Sequence, residues 1–208
     1  MNPNTFRHLS YGVYVITTWD GDRPLGLTAN SAMQITSEPA TIAVSINHNN
    51  YTNGFIASSG KFAISVLAEG SDAALIGRFG FQSGKEADKF AGAEYQVADG
   101  LPVLTDTCGY IACKVINKME TATHTVFLGE VIGAEILKGG DAMTYAYYHK
   151  VVKGNSPPNA PTYLPPQAKA AKKSKYVCKI CGYEHEGELD EAFKCPICGV
   201  GKDKFELR

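Results

Sequence analysis

The chain has 208 residues, of which 44% are hydrophobic and 20% are charged, and its formal net charge is −1. This composition is that of an ordinary folded protein with room for one or two domains. The balanced charge argues against a nucleic-acid-binding surface. No stretch approaches the roughly 18 apolar residues of a membrane span, and the first residues lack the pattern of a signal peptide, so we expect neither membrane insertion nor secretion.

The first 153 residues are predicted to be mainly β. Strands are predicted at residues 11–19, 25–36, 40–47, 61–67, 108–115 and 125–137. Asp-Gly between the first two favours a hairpin. Helices are expected at 52–59, capped by Thr52 and stopped by Gly60, and at 73–76 after Ser71-Asp72, followed by a glycine-punctuated loop at 77–92. Many short strands with few helices indicate a barrel, and residues 142–149 are expected to end the domain.

Polar groups suited to an anion gather in three places of this domain. Residues 47–52 run from a strand end to a helix start, where free N–H groups and the helix dipole favour a phosphate. Residues 28–31 (Thr-Ala-Asn-Ser) add hydroxyl and amide groups, and Ser83, Gly84, Lys85 and Lys89 add donors and charge. Together they predict a phosphorylated cofactor, although Thr52 could act only as a helix cap. No G-x-G-x-x-G follows a strand, which disfavours a Rossmann domain.

Several motifs of this domain, kept in order, resemble the flavin reductase-like proteins. They lie at residues 11–17, 28–31, 36–39, 65–67, 79–85, 88–90 and 124–130. The resemblance covers about residues 5–150 and implies an FMN-binding split β-barrel that forms a homodimer. The chain is also similar to archaeal ferric reductases and to the high-molecular-weight rubredoxins, which join this barrel to a rubredoxin. Residues 26–31 differ mildly from those relatives but stay small and polar.

The resemblance also implies roles for individual residues. Thr28, Ala29, Asn30 and Ser31 would contact the isoalloxazine edge and ribityl chain of FMN. Asn47, Thr52 and Lys89 would hold the phosphate, with Ser83 and Gly84 closing a loop over it. His124 would lie near the nicotinamide of NAD(P)H, or else be a satisfied barrel histidine. Tyr148 and His149 could pack at the rim or contact flavin.

Residues 154–174 read as a linker, because they contain five of the ten prolines and end in a lysine-rich run. Extended as polyproline II, they would reach roughly 65 Å. They could let the last domain swing or serve as a plain tether.

Residues 175–208 contain Cys178, Cys181, Cys195 and Cys198 as two Cys-x-x-Cys-Gly pairs separated by 13 residues. Four thiolates at this spacing can bind one metal tetrahedrally, and both zinc and iron suit them; disulfides are the alternative. These thiols, with Cys108 and Cys113 as predicted core residues, indicate a reducing cytoplasm.

The stretches 176–183 and 195–205 closely resemble rubredoxin, which implies one iron that carries one electron. Tyr176, Tyr183, Phe193 and Phe205 would form a small aromatic core, with Ile180 and Ile197 shielding the sulfurs. The short spacing between the pairs is more like the centre appended to rubrerythrins, and a structural zinc ribbon stays an alternative. An acidic hairpin, with Glu184, Glu186, Glu188, Asp190 and Glu191, is either a solvated face or a dock for a basic partner.

The sequence therefore predicts an FMN-binding split barrel followed by a small four-cysteine metal domain. The expected function is an NAD(P)H-dependent oxidoreductase that passes electrons through FMN to iron and on to a redox partner. The resemblance implies a flavodiiron protein as that partner. The alternatives are a ferric-chelate or free-flavin reductase, a non-catalytic FMN carrier and a zinc-stabilised interaction module.

Overall fold

A computed structural model describes residues 2–152, 160–162, 175–187, 189–190 and 192–207. The chain forms two compact units, Met1–Tyr163 and Leu164–Arg208. Of the predicted linker only residues 160–162 are described, and they belong to the first unit. The rest of the predicted linker, for which a swinging connection and a plain tether were the two alternatives, lies outside the described residues. Among the described residues, no helix is long and apolar enough to cross a membrane.

The first unit is built on a seven-stranded antiparallel sheet with the order β2-β1-β5-β8-β9-β4-β3. Its strands are β1 Tyr14–Asp20, β2 Arg23–Ala29, β3 Ala32–Ser37, β4 Ala40–Asn47, β5 Lys61–Val66, β8 Gly109–Glu120 and β9 His124–Ile136. A separate two-stranded hairpin contains β6 Tyr95–Ala98 and β7 Leu101–Leu104. The mainly β prediction is confirmed.

The hairpin of β1 and β2 is confirmed, because Asp20 pairs with Arg23 across a turn in which Gly21 has a positive φ of 57°. The single strand predicted at residues 25–36 is wrong. The chain leaves β2 after Ala29 and begins β3 at Ala32, and β3 pairs with β4 instead of continuing beside β1. Asn30 and Ser31 occupy the break between these strands.

The sheet curls so that its two ends come together. One buried cluster takes side chains from β2, β1, β5, β8, β9 and β4, among them Leu27, Phe62 and Phe127. Thr28 on β2 and Asn47 on β4 both line one cavity. In a flat sheet these two strands, five positions apart, would be separated by about 24 Å. The curl thus gives the barrel-like arrangement that the strand pattern predicts and opens a cavity where the ends meet.

Two helices, α1 (Tyr51–Ser59) and α2 (Ala73–Phe81), pack on this sheet. The predicted cap by Thr52 is wrong: the N-cap of α1 is Asn50, whose side chain accepts the N–H of Thr52. Gly60 ends this helix in the left-handed conformation, as predicted. Asp72 caps α2 as predicted, but this helix runs five residues further than expected, because Ile76 and Phe79 share its buried face.

The hairpin of β6 and β7 was not predicted. Its turn is Asp99-Gly100, where both residues have positive φ, as this kind of tight turn requires. Each strand has only four residues and β6 is largely exposed, so alternation is too short to be recognised. The chain between β9 and the linker ends in α3 (Tyr145–Tyr147), which continues as a π-helical turn, Tyr148–Val152.

The second unit has a three-stranded antiparallel sheet with the order β11-β10-β12. Its strands are β10 Lys175–Cys178, β11 Glu184–Glu186 and β12 Phe205–Leu207. Phe193 and Phe205 meet edge to face with ring centroids 5.4 Å apart. The ring centroid of His185 lies 4.5 Å from that of Phe193. These rings and the two partly buried tyrosines, Tyr176 and Tyr183, are all this small unit has as an aromatic core among its described residues.

Candidate functional site

The four cysteine sulfurs of the second unit converge on one point. All four Sγ atoms lie within 4.8 Å of one another. The Sγ atoms of Cys178 and Cys198 are 3.7 Å apart, and those of Cys181 and Cys195 are 3.5 Å apart. A tetrahedron with metal–sulfur bonds of about 2.3 Å has edges of about 3.8 Å. The sulfurs therefore fit a single tetrahedrally bound ion.

The backbone around the two Cys-x-x-Cys pairs is nearly the same. The N–H groups of Gly182 and Gly199 donate to the carbonyls of Cys178 and Cys195, each at 2.8 Å. Both glycines have positive φ, 74° and 75°, which confirms the turn predicted from the sequence. The same turn used twice places two pairs of sulfurs face to face.

The electrostatics of the site favour a thiolate at Cys195. Burial raises the pKa of this thiol. The hydrogen bonds from the backbone N–H groups of Cys198 and Ile197 to its sulfur outweigh that effect, and the pKa falls to about 7. The thiolate is the form that binds metal. Cys178 and Cys195 are buried, whereas Cys181 and Cys198 are exposed, as are Ile180 and Ile197. The outer edge of the four-sulfur site is thus exposed to solvent.

A cavity of about 340 Å³ opens where the ends of the sheet meet in the first unit. Its apolar side comes from Val13, Leu27 and Ile76. Hydrogen-bonding groups face it from the break between β2 and β3, from the end of β4 and the start of α1, and from the loop that follows α2. The volume lies within the usual range for a small-molecule site, and few polar groups on an apolar floor are typical of one.

This cavity brings together the residues that the sequence singled out. Nine of them line it: Thr28, Ala29, Asn30, Ser31, Asn47, Ser83, Gly84, Lys89 and His124. Lys85 does not line the cavity, and neither does Thr52. The Thr52 side chain is fully buried, and its Oγ1 has no hydrogen-bond partner among the described residues. A buried hydroxyl without a partner is costly, so a hydrogen bond from a bound molecule would be favourable at this atom.

Lys89 reaches the cavity from the loop after α2. Its Nζ donates to the carbonyls of Gly26 and Phe79, both at 3.0 Å, and burial lowers its pKa to about 8. Two of its three N–H groups therefore connect β2 to α2 through these two carbonyls. Its third N–H has no acceptor among the described residues and can meet an anion in the cavity. Arg23 ties the same loop down by donating to the carbonyl of Gly84.

His124 begins β9 and lines both this cavity and an adjoining one of about 410 Å³. Its Nδ1 lies 2.8 Å from the Oγ1 of Thr123. The adjoining cavity is bordered by residues 47–49, 122–124 and 160–161. The imidazole thus stands where a second molecule could reach the first cavity.

The cavity also contains residues that sequence reasoning did not assign to it. Ala160 and Pro161 line it from within the predicted linker, and Asn50 and Tyr51, which belong to the predicted anion-binding stretch 47–52 but were given no role of their own, line it at the start of α1. Tyr145 and Tyr148, the second of which the sequence left undecided, line it from α3 and the turn that follows. Nothing in a proline-rich stretch would have identified residues 160–161.

An apolar floor, polar groups along one edge and a buried ammonium fit a planar heteroaromatic ligand that carries a phosphate. A flavin has this combination, and the residues present fit it.

Comparisons with known proteins support this reading. Residues 6–156 match the family described as "Flavin reductase like domain". Residues 176–206 match the family described as "Rubrerythrin, rubredoxin-like domain". The chain therefore belongs to the flavin reductase-like family and has a rubredoxin-like domain at its C-terminal end.

Two curated relatives and one solved structure are close to this chain. It is 43% identical to the high molecular weight rubredoxin of Moorella thermoacetica over 99% of each chain. It is 39% identical to a ferric-chelate reductase (NAD(P)H) of Archaeoglobus fulgidus, over 79% of this chain and 98% of that protein. The NADH:FAD oxidoreductase SgcE6 of Streptomyces globisporus has a TM-score of 0.62 and 25% identity, over 68% of this chain and 84% of that one.

The predicted pairing of a flavin reductase-like domain with a rubredoxin-like domain is confirmed. The chain is related to oxidoreductases, and its two domains support a flavin and an iron bound by four cysteines as cofactors.

Proposed function

We propose that this protein is an NAD(P)H-dependent electron-transfer oxidoreductase that uses FMN in its cavity and one iron at its four cysteines. A redox partner such as a flavodiiron protein would receive the electrons. When bound, FMN accepts a hydride and releases electrons singly, and a four-thiolate iron exchanges one electron at a time. The observation that carries the proposal is one chain holding both a flavin-sized cavity and a tetrahedral four-sulfur site.

The residues of the cavity would bind and orient the cofactor. Residues 28–31 offer hydroxyl, amide and backbone groups for the ring edge and ribityl chain. Lys89 and Asn47 would bind the phosphate together with Thr52, which follows the lining residue Tyr51 in α1, and Ser83 and Gly84 would close over it. His124 would hydrogen-bond the nicotinamide of NAD(P)H from the adjoining cavity. Hydride transfer needs alignment more than acid–base chemistry, so this positioning is what the protein contributes.

Anaerobic titration of the purified protein with NADH or NADPH, followed by visible absorption, tests this function. Both the flavin and the ferric-thiolate absorption should bleach. A matched sample loaded with zinc in place of iron should bleach only its flavin. If neither nicotinamide bleaches the flavin, the barrel is a carrier and the enzyme proposal fails. A colourless metal site in protein purified from iron-replete cells would instead favour the structural zinc module.

FMN and FAD are distinguished by equilibrium binding. The relative from Streptomyces is named for FAD, whereas the phosphate-binding groups proposed here suit a single terminal phosphate. We therefore expect FMN to bind more tightly than FAD in a fluorescence titration. Equal or reversed affinities would overturn the choice of FMN.

The flavodiiron partner is proposed from the pairing of the two domains and the exposed outer edge of the sulfur site. Of the acidic hairpin, Glu188 and Glu191 lie outside the described residues. Rapid mixing of the NADH-reduced protein with a flavodiiron protein should reoxidise both centres faster than buffer alone does. A rate equal to that in buffer would exclude this partner.

A second candidate function is direct reduction of ferric chelates or free flavin. It is favoured by the 39% identity to a ferric-chelate reductase of which this chain matches 98%. Removing residues 164–208 separates the two: chelate reduction would survive, and reduction of a protein partner would collapse. The cut follows residue 163 because residues 160–161 line the cavity.

We also propose a homodimer. The outer face of the sheet carries Met33 and Met119, both mostly exposed, with Val126 and Leu128 between them in the register of neighbouring strands. Such an apolar strip on a sheet favours burial against another surface. The location in a reducing cytoplasm stays a prediction from the free thiols.

A further inference from the structure

The described piece of the predicted linker, residues 160–162, is attached to the cavity wall. Ala160 and Pro161 line both cavities. Thr162 makes two side-chain hydrogen bonds to residues of the first cavity, Asn30 and Tyr145. We call residues 160–162 the strap.

The hydrogen bonds of the strap run in one direction. The Nδ2 of Asn30 donates to the Oγ1 of Thr162 at 2.7 Å, and that hydroxyl donates to the phenol oxygen of Tyr145 at 3.1 Å. The Oδ1 of Asn30 accepts from the Oγ of Ser31 at 3.0 Å. The Thr162 hydroxyl thus acts as acceptor and donor at once, and bonds aligned in this way strengthen one another.

These bonds fix the orientation of the Asn30 side chain. Asn30 is 6% exposed and stands at the break between β2 and β3, on the cavity wall. Without the Thr162 oxygen, one amide N–H of Asn30 would be buried and unpaired, and the amide would turn to find another acceptor. Tyr145 stacks on Tyr148, with ring centroids 6.1 Å apart, so the strap also borders the aromatic side of the cavity.

We propose that Thr162 is a positioning residue for the flavin cavity, so that flavin binding and attachment of the strap stabilise each other. This inference rests on the proposed function for the identity of the ligand. Thr162 holds Asn30 in the orientation that a flavin meets, and a bound flavin keeps Asn30 and Tyr145 in place for Thr162. Because coupling between two binding events is reciprocal, each must strengthen the other by the same factor.

One consequence concerns the connection to the iron domain. Thr162 is attached to the first unit, so the connection to the second unit is counted from this residue and not from residue 154. As polyproline II, the chain from Thr162 to Lys175 would reach roughly 40 Å, compared with roughly 65 Å for the whole predicted linker. The strap therefore ties the start of the connection to the flavin cavity.

The full-length variant Thr162→Val tests the coupling, with Thr162→Ser as the matched control because serine keeps the hydroxyl. Titration of flavin fluorescence should show about tenfold weaker FMN binding for Thr162→Val, equivalent to about 1.4 kcal/mol. Thr162→Ser should bind like the wild type. Tyr145→Phe, which removes only the acceptor of the Thr162 proton, should weaken binding in the same direction and serves if the valine variant folds poorly.

Hydrogen–deuterium exchange measured by mass spectrometry supplies the reciprocal readout. In the wild type and in Thr162→Ser, FMN should slow exchange in a peptide covering residues 160–162 about tenfold; in Thr162→Val it should not. The inference is overturned if Thr162→Val binds FMN within twofold of the wild type, or if FMN leaves wild-type exchange unchanged or makes it faster. A wild type that binds no flavin at all would instead remove the proposed function itself.

Discussion

At the scale of single residues, the metal site depends on all four sulfurs because its unit has so little other core. We expect Cys198→Ser to lose most of its bound iron and its ferric-thiolate absorption, since an exposed thiolate is replaced by a hydroxyl that binds iron poorly. Iron per chain and the visible spectrum measure this. Cys108→Ser, in the other unit, is the control and should keep full iron. Equal iron in both variants would contradict a four-sulfur site.

Lys89 gives a prediction of pH dependence with a definite sign. Its pKa is lowered to about 8 by burial, so above this pH the flavin-free protein loses the charge that would meet a phosphate. A phosphate monoester has its second pKa near 6 and keeps its charge in this window. FMN affinity should therefore be constant between pH 7 and about 8 and fall above that, by up to about tenfold per pH unit, in fluorescence titrations.

Two controls isolate the lysine. Binding of riboflavin, which lacks the phosphate, should not show this pH dependence, and Lys89→Met should flatten the FMN profile. In the flavin-free protein the lowered pKa has the opposite sign of effect. Between pH 8 and the unfolded value of about 10.4 the unfolded chain binds more protons, so the free energy of unfolding should rise with pH. An FMN profile shared by wild type and Lys89→Met would show that Lys89 serves only its two carbonyls.

At the scale of elements, the start of α1 separates a structural residue from a ligand-binding one. Asn50 caps this helix, whereas the buried Oγ1 of Thr52 has no partner among the described residues. Thr52→Val should leave the free energy of unfolding of the flavin-free protein unchanged or raise it by up to about 1 kcal/mol, because an unsatisfied hydroxyl is removed. FMN binding should weaken about tenfold if this hydroxyl binds the phosphate.

The contrasting variant is Asn50→Ala, which removes the cap and should lower the free energy of unfolding by about 1 kcal/mol. Thermal or urea unfolding measures both variants. Riboflavin should bind Thr52→Val as it binds the wild type. If Thr52→Val destabilises the flavin-free protein as much as Asn50→Ala does, the Thr52 hydroxyl has a structural role and its assignment to phosphate is wrong.

How far the elements could be predicted depended on whether their signals were local. β4 was predicted with its exact bounds, because eight residues alternate and turn signals flank them. The prediction of one strand at residues 25–36 was wrong, because nothing in that apolar stretch shows that the chain changes its pairing partner. The first part pairs with β1 and the second with β4, and this pairing is decided by tertiary structure. The helix α2 extends through Gly77 and Gly80 because burial of Phe79 outweighs the weak helix preference of glycine.

The candidate site divides in the same way. Cysteine spacing specifies the sulfur site, since both turns are local. The cavity groups could be collected from motifs, and the fold brings nine of them together. Residues 160–162 could not be found, because their attachment depends on hydrogen bonds between positions more than 130 residues apart, Asn30 and Thr162. Proline content predicts a linker but does not show that residues 160–162 are attached to the first unit.

At the scale of the whole molecule, the outer face of the sheet predicts the assembly state. Met33 and Met119 are 64% and 59% exposed, which is costly for large apolar side chains on a sheet surface. The double variant Met33→Glu with Met119→Glu should convert a dimer to a monomer in sedimentation experiments. Met33→Leu with Met119→Leu keeps the apolar surface and should stay dimeric. A wild type that sediments as a monomer would remove the proposal.

The passage of electrons between the two sites gives the last prediction. If NAD(P)H electrons reach the iron only through the flavin cavity, a variant that cannot hold flavin should keep its iron oxidised in excess NADH. Thr52→Val combined with Lys89→Met, with both sites weakened and the protein prepared free of flavin, serves as this variant. Its four cysteines are untouched, so its iron content should match that of the wild type. Rapid-mixing absorption spectroscopy follows the ferric-thiolate band directly. Added dithionite, a small reductant that needs no cavity, should bleach that band equally in both proteins. Bleaching of the double variant by NADH at the wild-type rate, with no flavin bound, would contradict the path through the cavity.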